Sequence, residues 1–227
     1  MLEETTEPTW ATLYLYIFLA SAPVLYNQME KGIPYCYSPL LPGNGSIRLL
    51  RLKPNKDKMA DIQCELFEYS LQNSCEGIHL YDALSYVWGN PDKKFPIFLH
   101  EHRFDVTVNL HAALSRLRNH SMERTLWVDA ICINQTKKEE KEDQIQFMAK
   151  IYGQANRVLV WVGDAEDDSD LALEAIRVAG GKKSTNSSVD TRLQQAVIAL
   201  LERPWFRRIW VREQTLRNFC KDKLLKG

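Results

Sequence analysis

Apolar and polar positions change their rhythm along this chain, and the changes divide it into elements. "SIRLLRL" (46–52) and "DIQCELFEY" (61–69) have the alternation and β-branched content of strands, separated by the polar turn "KPNKDKMA". "YDALSYVWG" (81–89) predicts a third strand, closed by Gly89 and the turn pair Asn90-Pro91. "FPIFLHEHRFDVTV" (95–108) predicts a hairpin turning near Glu101-His102. In "NLHAALSRLR" (109–118) the period lengthens, and Leu110, Ala113, Leu114 and Leu117 share one helical face.

"TLWVDAICINQ" (125–135) reads as a buried strand through Leu126, Trp127, Val128, Ala130 and Ile131, yet Asp129 sits inside it and Cys132, Asn134 and Gln135 crowd its exit. Such residues either tie down a turn or line a crevice where something binds. Thr136-Lys137-Lys138-Glu139 has the T-x-x-E form of a capping box, and Glu139, Glu140, Glu142 and Asp143 load the following turns as the helix dipole favours. Ile145, Met148, Tyr152 and Ala155 form the expected buried stripe. "RVLVWVG" (157–163) is so continuously apolar that it predicts a strand covered on both faces.

Residues 81–163 therefore read as βαβαβ, an α/β domain with a mainly parallel sheet flanked by helices, preceded by an extra N-terminal β region. A helix follows at about 168–179, then the loop "GGKKSTNSSVD", then helices near 191–202 and 204–219, with Pro204 suited to a first turn. In a parallel sheet, ligands bind beyond the carboxyl ends of the strands. Ser85 to Gly89 occupy one such end, and Asp129, Cys132, Asn134 and Gln135 another.

Composition narrows the function classes. Lys+Arg and Asp+Glu balance at 29 each, so no global field favours nucleic acid or an acidic membrane. The five cysteines (Cys36, Cys64, Cys75, Cys132, Cys220) are scattered without a C-x-x-C, which suits reduced thiols in a cytoplasmic protein. "TWATLYLYIFLASAPVLY" (9–26) has no charge, but Glu3, Glu4 and Glu7 precede it where a secretory signal carries basic residues. It reads as a packed helix or a loosely attached extension, with membrane attachment the alternative.

Phosphate-loop, dinucleotide-fold, zinc-protease and serine-hydrolase motifs are absent. His100 and His102 fall at the predicted hairpin turn, "DAEDDSD" (164–170) lacks the glycine and closing glutamate of a calcium loop, and no metal site is expected. The arginines around Arg203, Arg207, Arg208 and Arg212 are balanced by acids and interleaved with Trp205, Phe206 and Trp210, which reads as a charged helix face rather than a nucleic-acid site.

"YDALSYVWG", "NLHAAL", "LWVDAICINQ", "EKEDQIQFMAKIYGQANRVLVWVG" and "RPWFRRIWV" together resemble the fungal heterokaryon-incompatibility (HET) domain over about residues 81–214. "IRLLRL" with "IQCELF" resembles the segment that commonly precedes it. Together with the apolar stretch, the resemblance divides the chain into an apolar N-terminal extension (1–30), an N-terminal β region (31–80), a HET domain (81–219) and a C-terminal tail (220–227). It also implies a signalling role in fungal non-self recognition and programmed cell death, through protein partners and self-association.

The HET domain is in turn similar to TIR domains, which have a flavodoxin-like arrangement. Many TIR domains cleave NAD⁺ with a glutamate four residues after a helical tryptophan, because a carboxylate stabilises the oxocarbenium character that develops on the ribose. That likeness makes NAD⁺ a candidate substrate, with Ser85, Trp88, Asp129, Asn134 and Trp210 as candidate binding residues. HET domains commonly read W-V-x-Q-E, whereas this chain reads Trp210-Val211-Arg212-Glu213-Gln214. The family glutamate position holds neutral Gln214. Glu213, rotated by about 100° on a helix, is the alternative carboxylate or an ion-pair partner of Arg217. A TIR-like sheet continues beyond the tryptophan helix, so a missing edge is expected after Gly227.

Overall fold

The computed structural model describes residues 35–40, 45–72, 80–181 and 191–208. The two N-terminal strands, β1 (Ser46–Leu52) and β2 (Gln63–Ser70), pair antiparallel from Ser46↔Ser70 to Leu52↔Cys64. On its other edge β1 pairs antiparallel with β6 (Arg124–Trp127). That strand runs parallel to β3 (Asp82–Tyr86), which runs parallel to β7 (Arg157–Trp161). The hairpin β4 (Lys94–Leu99) and β5 (His102–Thr107) crosses to the far side, where β4 joins β2 in parallel. Among the described residues the result is one seven-stranded sheet, β5-β4-β2-β1-β6-β3-β7.

The α/β class matches the sequence pattern, but the sheet is mixed rather than mainly parallel. Three neighbour pairs are parallel and three antiparallel. Two of the parallel pairs form β6-β3-β7, the strands of the βαβαβ segment, and the third is β2–β4. The antiparallel pairs β1–β2 and β4–β5 both lie on the β1 side of that segment, where short turns join antiparallel neighbours. The β4–β5 turn is tight: His100 and Glu101 have φ of 48° and 70°, the left-handed values of a two-residue hairpin loop. The His100 Nε2 lies 2.9 Å from both the amide nitrogen and the carbonyl oxygen of Leu66 on β2.

The core lies around β1, which is buried at every position except Arg51. Leu49, Leu50, Leu126, Trp127 and Ile131 are fully buried in it. Two long helices flank the sheet, α1 (Val108–Leu117) and α3 (Lys138–Gln154). At the end of α1, Arg118 donates to the carbonyls of Asp57, Lys58, Ala60 and Asp61 at 2.7–3.2 Å, closing the turn between β1 and β2. Tyr81 and Tyr152 donate to the carbonyls of Ile151 and Leu84, tying α3 to β3.

Three local expectations are corrected. The strand at 125–131 stops at Trp127, and Asp129–Cys132 forms a one-turn helix, α2. The Asp129 carboxylate accepts from the Ala130 amide at 2.7 Å, and the Cys132 amide bonds the Val128 carbonyl at 2.7 Å, so local bonds outcompete strand pairing. The capping box does not form. Lys137 is the α3 N-cap without a side-chain bond, and the Thr136 hydroxyl donates instead to Asn134 Oδ1 at 2.7 Å. The buried stripe of α3 departs at one position: Tyr152 is buried and Met148 and Ala155 pack against the core as expected, but Ile145 is half exposed, and Gln144 and Ile151 are buried instead. Gln144 faces inward because its amide donates to the Ser46 carbonyl of β1 at 3.0 Å.

The largest departure is β7. It lies at the edge of the sheet, with Val158 38% and Val160 46% exposed, rather than covered on both faces. The following helices, α4 (Ser169–Gly181) and α5 (Thr191–Glu202), pack chiefly on each other, around Ala172, Ala196 and Leu200. β-Branched residues suit a strand whether or not its outer face is covered, so an apolar run alone overstates burial. Among the described residues no helix is long and apolar enough to cross a membrane; segment 9–26 lies outside them.

Candidate functional site

In the order β6-β3-β7 the chain leaves the central strand toward one neighbour and then the other, so a crevice opens beyond the carboxyl end of β3. Four segments meet there. The β3 exit supplies Ser85, Tyr86 and Trp88, and Gly89 turns the chain at φ 78°. A Cβ at Gly89 would sit 3.2 Å from Asn109 Cβ, a second reason for glycine there. The start of α1 supplies Asn109, whose amide donates to the Val87 carbonyl and whose oxygen accepts from Trp161 Nε1 at 2.9 Å. Asn109 thus laces the ends of β3 and β7 together.

The exit of β6 supplies Asp129. Its Oδ2 accepts from Trp88 Nε1 at 2.9 Å while Oδ1 holds the Ala130 amide. Burial pushes its carboxyl above the ordinary aspartate value, against the opposing pull of these hydrogen bonds and of the Arg208 charge. The Tyr86 hydroxyl is buried and faces the Asp129 carboxylate. Burial, then the nearby Asp129 charge, raises its pKa well above the usual phenol value.

The fourth segment is the 3₁₀ turn Pro204–Arg207 with its flanks. Arg203 anchors it by donating to the carbonyls of Val162, Asp164 and Glu166, the loop after β7. Trp205 is then buried with its indole N–H on Ser85 Oγ at 3.0 Å, and Arg208 donates to the Tyr86 carbonyl. A carboxyl that holds its proton more readily than usual, an indole 40% exposed and a guanidinium therefore converge at one strand end. That set can accept or hold a proton and present a flat apolar face to a ligand.

Of the residues marked from sequence, Ser85, Trp88 and Asp129 share this crevice. Ser85 is engaged with Trp205. Asn134 lies apart, in the α2–α3 connection, where its Oδ1 accepts from the amide and hydroxyl of Thr136 and its own amide bonds Glu140. Gln135 donates to the Asp129 carbonyl at 2.9 Å. Cys132 is fully buried, its sulfur accepts from the Val128 amide, and burial pushes its thiol up to about 12, so it is an inert core group. Trp210, Glu213 and Gln214 lie outside the described residues. The sequence pattern points to neither Asn109 nor Trp161, and it reads Trp205 and Arg208 as part of a charged helix face; Tyr86 lies inside the strand end at Ser85 to Gly89. All five sit inside motifs legible as wholes, but only the fold brings them together. Among the described residues no group of three or more His, Cys, Asp or Glu could hold a metal.

Fold and site define an α/β domain with its polar residues gathered at a strand-end crevice, and the model of the heterokaryon incompatibility protein (HET) family matches residues 81–213. The chain belongs to that family. It is similar to heterokaryon incompatibility protein 6, OR allele, of Neurospora crassa, with 30% identity over 222 residues, covering 77% of this chain and 32% of the relative. The chain thus spans about a third of the length of that relative. No solved structure gives a significant match.

Proposed function

We propose that this chain is a signalling module of fungal non-self recognition, which triggers death of incompatible fused cells. The carrying observation is the family match over residues 81–213, the same span that builds the β3–β6–β7 crevice. The relative's name points to the same process. Protein partners and self-association are the means by which such a module acts, and the cytoplasm is its compartment. Cys64 and Cys132 are buried free thiols and Cys36 an exposed one, which a reducing compartment preserves.

Induced expression in a fungal host tests the proposal. Wild type stops growth and admits a vital dye within hours, whereas Trp205→Ala, which empties the Ser85 contact, does not. Healthy growth with abundant, folded wild-type protein overturns it.

A second reading is NAD⁺ cleavage, favoured by the placement of Asp129 and Trp88 at the switch-point crevice. Here Trp88 offers a stacking face and Asp129 a carboxyl for the ribose hydroxyls. Incubating purified chain with NAD⁺ and measuring nicotinamide release tests it.

A further inference from the structure

At the opposite, amino-terminal ends of the same three parallel strands lies a cleft of about 330 Å³. Its floor is Asp82, the first residue of β3 and only 6% exposed. Asp82 Oδ1 accepts from Asn156 Nδ2 at 3.1 Å and from Arg157 Nε at 3.3 Å, and Oδ2 accepts from Arg157 Nη2 at 3.2 Å. Arg124, at the start of β6, brings Nη1 to 3.6 Å from the same carboxylate. Two guanidiniums therefore face the one carboxylate of the floor. Glu123, also lining the cleft, is drawn toward β1 by Arg51 at 3.4 Å, which also holds Glu65 at 3.1 Å.

The donor count points the same way. Arg157 meets Asp82 through Nε and Nη2, which leaves Nη1 unused, while Arg124 keeps Nε and Nη2. Asn119 also lines the cleft; its oxygen accepts from Ser121 and Met122 within its turn, which leaves its amide N–H donors unused. Donors are in surplus, and the principal acceptor is already saturated. Leu80 and Met122, 58% and 66% exposed, add apolar surface to the same lining.

The floor is pre-organised. Arg157 stands abreast of Asp82 in the β3–β7 register, and the Asn156 amide bonds the Tyr81 carbonyl at 2.8 Å. A single arginine already satisfies Asp82, so the second guanidinium is available to an incoming anion, for which planar forks are suited.

We propose that this cleft binds a small molecule that carries an oxyanion group, phosphate or carboxylate, on an apolar body. The volume exceeds what a bare anion needs and lies within the range of small-molecule sites. The site is separate from the Asp129 crevice and does not depend on the signalling role.

Titration of the purified chain with phenyl phosphate and benzoate, followed by the arginine side-chain Nε–H resonances, tests the proposal. Phenol and sodium chloride at matched ionic strength are the controls. The expected result is saturable binding of at least one anion that shifts the Arg124 and Arg157 signals and exceeds phenol binding by roughly tenfold or more. Tighter phenyl phosphate assigns a phosphate headgroup, and tighter benzoate a carboxylate. Arg124→Gln weakens binding roughly tenfold with an unchanged melting temperature. Should Arg124→Gln fail to fold, Leu80→Ser serves instead: it lowers phenyl phosphate affinity and leaves inorganic phosphate affinity unchanged. Shifts that chloride reproduces, or full affinity retained in folded Arg124→Gln, overturn the proposal.

Discussion

Arg48 and Glu140, 92 residues apart, form a bidentate ion pair with Nη1–Oε1 at 2.6 Å and Nη2–Oε2 at 3.2 Å. Arg48 is 4% exposed on the central strand β1, and it also donates to the carbonyls of Ser38 and Cys132. Tyr37 lies under its guanidinium, 5.0 Å from centroid to Cζ, and donates to the Ile131 carbonyl at 2.8 Å. The residues before β1, β1 itself, α2 and α3 are thereby joined at one buried charge.

Glu140→Gln leaves that guanidinium buried without its counter-charge and costs about 3–5 kcal/mol in denaturant unfolding. Replacing both partners by Met and Leu recovers most of the loss. Burial pushes the Glu140 carboxyl up, but the Arg48 bonds and the Asn134 amide outweigh it and hold the value below 4.5. A depressed native value means the pair's stabilisation is present above pH 4.5 and is lost as pH falls through the native value. Denaturation midpoints of wild type and Glu140→Gln converge in acid.

Asp129→Asn behaves in the opposite sense. The native carboxyl has a raised value, so its contribution is fully present below pH 3.8 and is lost as pH rises through the native value. The stability of wild type relative to Asp129→Asn therefore declines between pH 3.5 and pH 7. Paired urea titrations at the two pH values check the sign, and a constant difference refutes the raised carboxyl value of Asp129.

Ser85 and Trp205 are coupled across 120 residues by a buried hydrogen bond of 3.0 Å. Ser85→Ala strands the indole N–H and costs about 1–3 kcal/mol. A double-mutant cycle with Trp205→Phe yields a coupling energy of about 0.5–1.5 kcal/mol. A coupling of zero separates the 3₁₀ turn from the β3 exit.

Arg118→Lys replaces a planar fork that reaches four carbonyls with one ammonium. The 57–61 turn then opens, with faster amide exchange at Ala60, whose N–H bonds the Asp57 carbonyl at 3.4 Å. The cost is about 1–3 kcal/mol by thermal unfolding.

Under the NAD⁺ reading, neutral Gln214 makes the wild type slow. Gln214→Glu raises nicotinamide release by roughly two to three orders of magnitude, the usual worth of one charge-stabilising group. Glu213→Ala changes little when Glu213 only pairs with Arg217. Strong wild-type release abolished by Glu213→Ala transfers the catalytic role to Glu213, and silence in wild type and Gln214→Glu removes this reading.

The chain's local periods determined its elements. β1 spans the very residues whose alternation predicted it, and the hairpin turns at His100-Glu101, one residue from the predicted Glu101-His102, because side-chain period and turn chemistry are short-range properties. The family was equally legible, since its motifs are contiguous words. What the tertiary structure alone decided is which words touch. The order β5-β4-β2-β1-β6-β3-β7 depends on hydrogen bonds between distant strands, and no local pattern in "SIRLLRL" says that it will pair with β6. Burial followed the same rule: "RVLVWVG" is the more continuously apolar run, yet β7 lies at an edge, while "SIRLLRL", with two arginines, lies at the centre. The candidate crevice is likewise a product of topology, because Asp129, Trp88, Trp205 and Arg208 become neighbours only when β6 and β7 flank β3 and Arg203 fastens the later turn to the loop after β7. Periodicity reports how each segment meets a core, and only the long-range pairing decides which core.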